Sequence, residues 1–372
     1  MVCPQVLRSV AFRSIAVLTR APFPSSGAMA SAGEKRKLAV LDRESFLEKS
    51  KAARQKRSSG AAGHFIKAMY SSLVDGIITD PELMALPIDD HAIIRGHAIF
   101  DTCTLAGGRV FRLGIHLDRL FKSAKLGRLK LPFGLSEDEN RSRMTEIVCQ
   151  TCVASGLRDG GVRFFLTAGP GNYGFTPAGC EPAFYCTVLE SSKSEDLKAI
   201  GEATVPASEV PMKPTLLATL KSNNYLLNCL LAMSAQERGG CYGINIRDDG
   251  TVAEGCVANC AIVVDKVFIT PPFDGILAGT TVRKAMDLAT KHLVGETKVL
   301  REIRQETMRK EQLFSAQEVM MLSGDLGVSP VSTLDGQQVG NGEVGPVARE
   351  LKRLIWEDAY DGKEEHIQLF YS

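Results

Sequence analysis

The sequence lacks the long apolar run that a membrane-spanning helix needs, because no stretch approaches about 18 consecutive apolar residues. It also lacks an excess of charge of either sign: 44 Lys and Arg stand against 43 Asp and Glu, for a formal net charge of +1. This balance gives the body of the protein no electrostatic reason to bind nucleic acid or a membrane surface. At 372 residues, with 44% hydrophobic residues, the chain is long enough for two packed domains.

Acidic residues are missing from the first 33 residues, which contain three arginines and several Ser and Ala. Residues 1–67 carry thirteen Lys and Arg against four Asp and Glu, so the remaining chain has a net charge of −8. An acid-free N-terminus whose apolar stretch is interrupted by arginines is typical of an organelle transit peptide. We therefore predict a transit peptide for plastid or mitochondrion over residues 1–33. A basic, partly disordered lead-in follows over residues 34–68; if the leader is not functional, the protein is cytoplasmic.

The cysteines do not form a metal-binding pattern. Cys149 and Cys152 have the spacing of half a zinc site, but no second pair of matching spacing follows them. We expect buried, reduced thiols in a reducing compartment, and no metal.

Hydrophobic periodicity predicts strands and helices that alternate without a βαβαβ rhythm, which favours an α/β (α+β) fold over a doubly wound sheet. In the first half we predict mostly antiparallel sheet, with a strand over residues 93–100 and a helix opened by a capping box of Ser136 and Glu139. In the second half we predict further strands, with helices over about 222–238 and 306–314. The polar stretch 191–198 separates two predicted α/β domains, residues 69–191 and 196–372.

One apparent nucleotide-binding motif is rejected. Residues 169–174 match G-x-G-x-x-G, but a dinucleotide site requires a helix to begin inside the motif. Pro177, Gly179 and Pro182 follow, and no crossover helix fits before the next strand. We predict a loop between antiparallel strands.

Three segments of the second half contain candidate catalytic or cofactor-binding residues. Lys221 lies between an extended stretch and a helix, Glu254 lies in an apolar strand, and Thr280 and Thr281 open a helix after Gly279. Taken singly, each has an ordinary explanation: a solvated lysine, a strand glutamate that faces water, and a helix cap.

Together the three segments suit one kind of cofactor. A helix N-terminus with two hydroxyls is an anion site for a phosphate ester, which Arg119 on another helix is available to close. A desolvated lysine amine can form a Schiff base with an aldehyde. A carboxylate such as that of Glu254 keeps a ring nitrogen protonated, so that the ring accepts electrons.

The order and spacing of these segments resemble those of the fold-type IV (class IV) aminotransferases, which use pyridoxal 5'-phosphate. The resemblance covers roughly residues 69–350. Residues 69–72, 89–102, 168–171 and 221–225 are most similar to plant-type D-amino-acid transaminases, also called branched-chain-aminotransferase-like proteins. The resemblance implies a small antiparallel-sheet domain, a larger barrel-like α/β domain, and a homodimer.

The resemblance also implies roles for individual residues. Lys221 is the Schiff-base lysine, and Glu254 pairs with the pyridine nitrogen. The remaining expected contacts are Arg119, Thr280, Thr281, Ser323 and Gly324 at the phosphate, Tyr225 at the phenolic oxygen, and Phe100 and Arg163 in the substrate pocket. Four features depart from relatives. Residues 279–283 replace a Gly-Ile-Thr-Arg run, and Tyr225 follows the lysine one residue sooner than in branched-chain relatives. Asp325 stands in the second phosphate-side turn, and residues 169–174 lack the Arg-x-His carboxylate trap of bacterial D-amino-acid transaminases.

Several functions are compatible with this constellation. We expect a transaminase that moves an amino group from an amino acid, with D-amino acids such as D-alanine favoured, to a 2-oxo acid. The alternatives are an aminodeoxychorismate lyase, which makes 4-aminobenzoate and pyruvate, and a branched-chain L-amino-acid aminotransferase. A non-catalytic cofactor-binding protein is disfavoured, because both Lys221 and Glu254 are retained.

Overall fold

The fold is that of a computed structural model, which describes residues 38–58, 65–190, 195–324, 326–362 and 364–371. The chain divides into two compact units, Met1–Ala52 and Ala53–Ser372. The described part of the first unit is residues 38–52, most of which are helical. The predicted transit peptide and half of the predicted linker lie outside the described residues, and the predicted domain boundary stays a prediction.

The described helices are α1 (Arg43–Ser58), α2 (His91–Ile94), α3 (Leu113–Leu126), α4 (Glu137–Ser155), α5 (Thr215–Thr219), α6 (Leu226–Gln236), α7 (Thr280–His292), α8 (Lys310–Ser315) and α9 (Pro346–Tyr360). The first eight strands are β1 (Ile66–Ser71), β2 (Gly76–Ile78), β3 (Ala98–Ala106), β4 (Arg109–Phe111), β5 (Gly160–Thr167), β6 (Ala183–Leu189), β7 (Ile200–Glu202) and β8 (Thr204–Pro206). The others are β9 (Ile244–Ile246), β10 (Val252–Gly255), β11 (Asn259–Val264), β12 (Val267–Thr270), β13 (Glu302–Gln305), β14 (Glu318–Ser323), β15 (Gly327–Leu334), β16 (Gln337–Gln338) and β17 (His366–Gln368).

The first half of the large unit is built on an antiparallel sheet with the strand order β17-β4-β3-β5-β6-β1-β2. The apolar sides of α3 and α4 contribute to the same buried core as strands β3 and β5. Strand β17 comes from the end of the chain and pairs with β4, with His366 opposite Phe111. The pairing of β17 with β4 was not predicted from the sequence, because a three-residue strand carries almost no periodic signal.

The second half contains a three-stranded sheet of order β10-β9-β8 and a sheet of order β13-β12-β11-β14-β15-β16, with β7 paired to β15. Helices α7 and α9 bury apolar residues against the second of these sheets. The predicted α/β (α+β) fold with antiparallel sheet is thus confirmed. None of the described helices combines the length and apolarity that crossing a bilayer requires.

One local signal, a capping box, located a helix start correctly, whereas the bounds of one predicted strand were wrong. The capping box of Ser136 and Glu139 is present, with the Ser136 side chain accepting from the Glu139 amide. The predicted strand over residues 93–100 is wrong in its first part. There Asp90 caps the short helix α2 by accepting from the Ala92 amide, and β3 begins at Ala98. An apolar run of this length has no periodicity that separates a strand from one helical turn.

Two predicted helices are shorter than expected. The helix predicted over residues 222–238 is α6, which begins at Leu226, because residues 221–223 are extended and pair with β3. The helix predicted over residues 306–314 is α8, which begins at Lys310. Residues 168–182 form the predicted loop between the antiparallel strands β5 and β6.

Candidate active site

A cavity of about 360 Å³ opens within the large unit. Its wall combines residues of the first sheet, α3, the extended segment before α6, the end of β10, the start of α7 and the end of β14. All ten residues predicted for the site line it: Phe100, Arg119, Arg163, Lys221, Tyr225, Glu254, Thr280, Thr281, Ser323 and Gly324. The structure therefore brings together side chains that lie up to about 220 positions apart in the sequence.

The backbone around Lys221 pairs with the start of β3 in the manner of an additional edge strand. The Phe100 amide donates to the Lys221 carbonyl at 2.9 Å, and the Asn223 amide donates to the Ala98 carbonyl at 3.1 Å. Strand β4 pairs with residues 104–106 of β3, so the start of β3 is open to this segment. Main-chain pairing thus fixes the position from which the Lys221 side chain enters the cavity.

The Lys221 amine lies among aromatic rings. Its Nζ is 4.8 Å from the centroid of the Phe100 ring and donates to the Tyr225 hydroxyl at 3.2 Å. Burial, with a further contribution from the charge of Arg119, lowers the pKa of Lys221 to about 8. Burial also raises the pKa of Tyr225 well above its usual value. The site therefore pairs a readily deprotonated amine with a neutral phenol.

Glu254 is a buried carboxylate on β10 with a donor at each oxygen. Oε1 accepts from the Lys213 amine at 3.2 Å, and Oε2 accepts from the Leu277 amide at 3.1 Å. Burial raises the pKa of Glu254, while the charge of Lys213 opposes that rise. Lys213 was not predicted as a site residue, because a lysine before Pro214 has the local sequence of a solvated loop.

The start of α7 is held by a close contact with Asn259. A Cβ built on Gly279, the residue before the helix, would lie 2.0 Å from the Asn259 Oδ1, so only glycine fits there. The Asn259 side-chain Nδ2 donates to the Leu277 carbonyl at 2.9 Å. Thr280 and Thr281 are buried at the first turn and line the cavity. The positive end of the helix and two hydroxyls therefore meet at one wall, which suits an anion.

Arg119 on α3 reaches the cavity from a buried charge cluster. Its Nε and one Nη donate to the two oxygens of Asp101, each at 2.7 Å. The same carboxylate lies 2.8 Å from the Nδ1 of His116. Burial raises the pKa of Asp101, but the charges of Arg119 and His116 outweigh it and hold that pKa well below its usual range. Asp101 thus fixes the direction of the Arg119 guanidinium, a role that sequence spacing alone did not reveal.

The remaining predicted residues lie at the other walls. Arg163 on β5 is solvent-exposed, donates from Nε to the Thr102 hydroxyl at 3.0 Å, and lies 5.4 Å from the centroid of Phe100. Ser323 ends β14, and Gly324 follows with a left-handed φ of 52°. Asp325, which the sequence places in the same turn, lies outside the described residues.

The chain is similar to a family model and to individual proteins. The model of the amino-transferase class IV family matches residues 98–334. The D-amino-acid transaminase, chloroplastic, of Arabidopsis thaliana is 38% identical over 303 residues, which cover 81% of this chain and 78% of that protein. The bifunctional aminodeoxychorismate lyase / D-amino acid transaminase of Mycobacterium tuberculosis is 26% identical over 75% of this chain and 96% of that protein. The T.th. branched-chain amino acid aminotransferase, solved with pyridoxamine 5'-phosphate, has a TM-score of 0.70 and 23% identity, covering 82% of this chain and 97% of that one.

Proposed function

This chain belongs to the class IV aminotransferases and is a transaminase, and we propose that its amino donors are D-amino acids, D-alanine among them, with a 2-oxo acid as acceptor. The Arabidopsis relative, whose name specifies D-amino acids, supports the choice of donor. One observation supports the transaminase reaction itself: Lys221 and Glu254 line one cavity whose wall also contains a helix N-terminus.

We propose pyridoxal 5'-phosphate as the cofactor. Fold-type IV aminotransferases use it, and the T.th. relative was solved with its amine form. The donor set of the cavity fits the group: an amine of lowered pKa, a buried carboxylate, and a cation beside a helix N-terminus. When bound, this cofactor supplies an aldehyde and a ring that accepts electrons from the substrate Cα.

The proposed role of Lys221 is to hold the aldehyde carbon and to move the proton. With a pKa of about 8, a useful fraction of the amine is unprotonated near neutral pH, as both bond formation and proton abstraction require. The hydrogen bond to Tyr225 holds the amine beside another residue that lines the cavity. In each half-reaction Lys221 would carry a proton between the substrate Cα and the C4′ carbon of the cofactor.

The proposed role of Glu254 is to accept from the ring nitrogen and keep it protonated. The proposed phosphate contacts are the Arg119 guanidinium, the first turn of α7 with Thr280 and Thr281, and the turn at Ser323 and Gly324. A cation and a helix N-terminus together favour a doubly charged ester.

The proposed substrate side of the cavity is the wall made by Phe100 and Arg163. The Arg163 guanidinium is held by Thr102 on one side and lies over the Phe100 ring, so its outer face can pair with a substrate carboxylate. Phe100 supplies apolar surface for the side chain.

The decisive assay supplies purified protein with D-alanine and 2-oxoglutarate and measures pyruvate and glutamate. We expect ping-pong kinetics, and loss of turnover in Lys221→Ala. Turnover of L-leucine or L-valine without turnover of any D-amino acid would overturn the D-amino-acid assignment in favour of a branched-chain aminotransferase.

Aminodeoxychorismate lyase is the second candidate, because the Mycobacterium tuberculosis relative carries both activities in its name. The same amine, carboxylate and phosphate wall serve that reaction, so the geometry does not separate the two. Release of 4-aminobenzoate and pyruvate from aminodeoxychorismate, at a rate above that of D-alanine transamination, would favour the lyase.

We also propose that the protein is a homodimer and that it is targeted to the plastid. Exposed Tyr173 and Phe175, in the loop between β5 and β6, offer apolar surface for a second copy. The chloroplastic relative and the basic, acid-free first 33 residues support the plastid. Light scattering of the purified protein and import of the labelled precursor into isolated plastids and mitochondria test the two statements separately.

A further inference from the structure

Lys213 is the second lysine that lines the cavity, and it has no role in the proposed reaction. Its Nζ lies 3.2 Å from the Glu254 Oε1, and its side chain is 16% exposed against 11% for that of Glu254. The residue after it, Pro214, restricts its backbone and caps α5, which begins at Thr215. The backbone before Pro214 is thus restricted, and it holds the partly buried Lys213 ammonium in contact with the Glu254 carboxylate.

The two donors already on Glu254 leave room for a third. An ionised carboxylate has about four acceptor positions, and Lys213 and the Leu277 amide take one on each oxygen. A ring nitrogen that donates to Glu254 therefore does not have to displace Lys213. The cavity is also lined by the cationic side chains of Lys221, Arg119 and Arg163, but Lys213 is the cation in direct contact with this carboxylate.

We propose that Lys213 is a positioning residue that stays on Glu254 when the cofactor binds and keeps the shared proton on the ring nitrogen. The proposal rests on the proposed function, since it needs the ring beside Glu254. An ammonium 3.2 Å from the carboxylate stabilises its ionised form, and this effect weakens with distance, so it would act less on a ring nitrogen that bound at another acceptor position of the carboxylate. Without Lys213, the proton between Glu254 and the ring moves toward the carboxyl group, and the ring accepts electrons less readily.

The test replaces Lys213 by Met and follows the ring nitrogen directly. The holoenzyme is loaded with pyridoxal 5'-phosphate labelled with ¹⁵N in the ring, and its NMR shift is compared with that of the free cofactor in both protonation states. We expect the protonated position for wild type and for Lys213→Arg, and a shift toward the unprotonated position for Lys213→Met. The kcat of Lys213→Met should fall about tenfold, the change that one pKa unit produces, with KM changed less than about twofold.

Lys284→Met is the matched control. Lys284 is 14% exposed and forms ion pairs with Asp358 at 2.8 Å and with Glu365 at 3.1 Å, so its removal breaks similarly buried ion pairs among residues that do not line the cavity. We expect its ring-nitrogen signal to match that of wild type. If Lys213→Met does not fold, Lys213→Gln, which keeps a neutral donor, should show the same shift in part.

The outcomes separate the two proposals. A protonated ring nitrogen in Lys213→Met, or an equal shift in Lys284→Met, overturns the role of Lys213. A wild-type protein that cannot be loaded, with no borohydride-stable label at Lys221, overturns the proposed function instead.

Discussion

The Lys221 amine donates a 3.2 Å hydrogen bond to the hydroxyl of Tyr225, four residues further along the chain. The two side chains meet because residues 221–223 are extended and α6 begins only at Leu226. Burial keeps the phenol neutral by raising its pKa, so this contact gives the ammonium form of Lys221 no anionic partner. Burial therefore dominates, and the pKa of Lys221 falls to about 8 from an ordinary value of 10.5.

The lowered pKa of Lys221 predicts a pH-dependent stability of the cofactor-free protein. Between about pH 8 and pH 10.5, this lysine is charged in the unfolded chain and neutral in the folded one. The unfolded state then binds more protons, so the free energy of unfolding rises with pH across this window, by up to about 1.4 kcal/mol per pH unit. Urea titrations of wild type and Lys221→Met at a series of pH values measure the difference.

The variant isolates the contribution of Lys221, because all other titrating groups are shared by the two proteins. We expect the stability advantage of Lys221→Met below pH 8 to shrink as the pH approaches 10.5. A constant difference across the window would show that the amine has an ordinary pKa.

Glu254→Gln should separate cofactor retention from turnover. The amide is nearly isosteric and keeps a donor or acceptor near the ring, but it removes the negative charge that holds the ring nitrogen protonated. We expect the visible absorbance of the loaded protein to persist while kcat falls by roughly a hundredfold, the usual scale for removing one charge-stabilising group. Steady-state kinetics with the best donor and an absorbance spectrum suffice.

Glu318→Gln controls for the loss of a buried carboxylate. Glu318 is 8% exposed and accepts from the Val347 and Ala348 amides at the start of α9. Its replacement should lower stability and leave kcat within about twofold of wild type. Equal losses of kcat in the two variants would mean that Glu254 acts through folding alone.

Gly279→Ala should weaken the phosphate end of the site. The added methyl group would lie 2.0 Å from the Asn259 Oδ1, so the start of α7 or the Asn259 side chain must move. Overpacking of this kind costs about 1–3 kcal/mol, and we expect cofactor binding to weaken by about tenfold. A double-mutant cycle with Asn259→Ala provides the check, because relief of the clash should make the two effects non-additive. Strict additivity would place the cause elsewhere.

Asp101→Asn should damage both stability and phosphate binding. The carboxylate is fully buried and pairs with the Arg119 guanidinium, so its loss leaves a largely buried positive charge without that partner. We expect the free energy of unfolding to fall by about 3–5 kcal/mol. We also expect a weakened preference for pyridoxal 5'-phosphate over pyridoxal, measured by titrating the cofactor-free protein with each compound.

Asp118→Asn, on α3 next to Arg119, is the control for Asp101→Asn. Asp118 pairs with Arg141 at 2.7 Å, but its side chain is 66% exposed. An exposed ion pair contributes at most about 1 kcal/mol, and the preference for the phosphorylated compound should be unchanged. A similar loss of that preference in both variants would argue against a specific role of Asp101 at the phosphate.

The sequence alone was sufficient for the family, for the mixed α/β fold, and for ten of the residues that line the cavity. Lys221, Glu254, Thr280 and Thr281 each sit in a short segment whose residue types and spacing are specific when taken together. The capping box of Ser136 and Glu139 was predictable for a related reason: its hydrogen bonds join residues three positions apart, so the signal is complete within one helical turn.

The tertiary structure decided which further side chains act on these residues. Lys213 is 41 positions from Glu254, and Asp101 is 18 positions from Arg119; in each case the partner is chosen by the packing of separate elements. The pKa of Lys221 is likewise lowered by burial beside Phe100 and Tyr225, and no local sequence pattern predicts that burial. A local signal determines what a side chain can do, but the dielectric and the counter-ions around it exist only once distant segments have packed together.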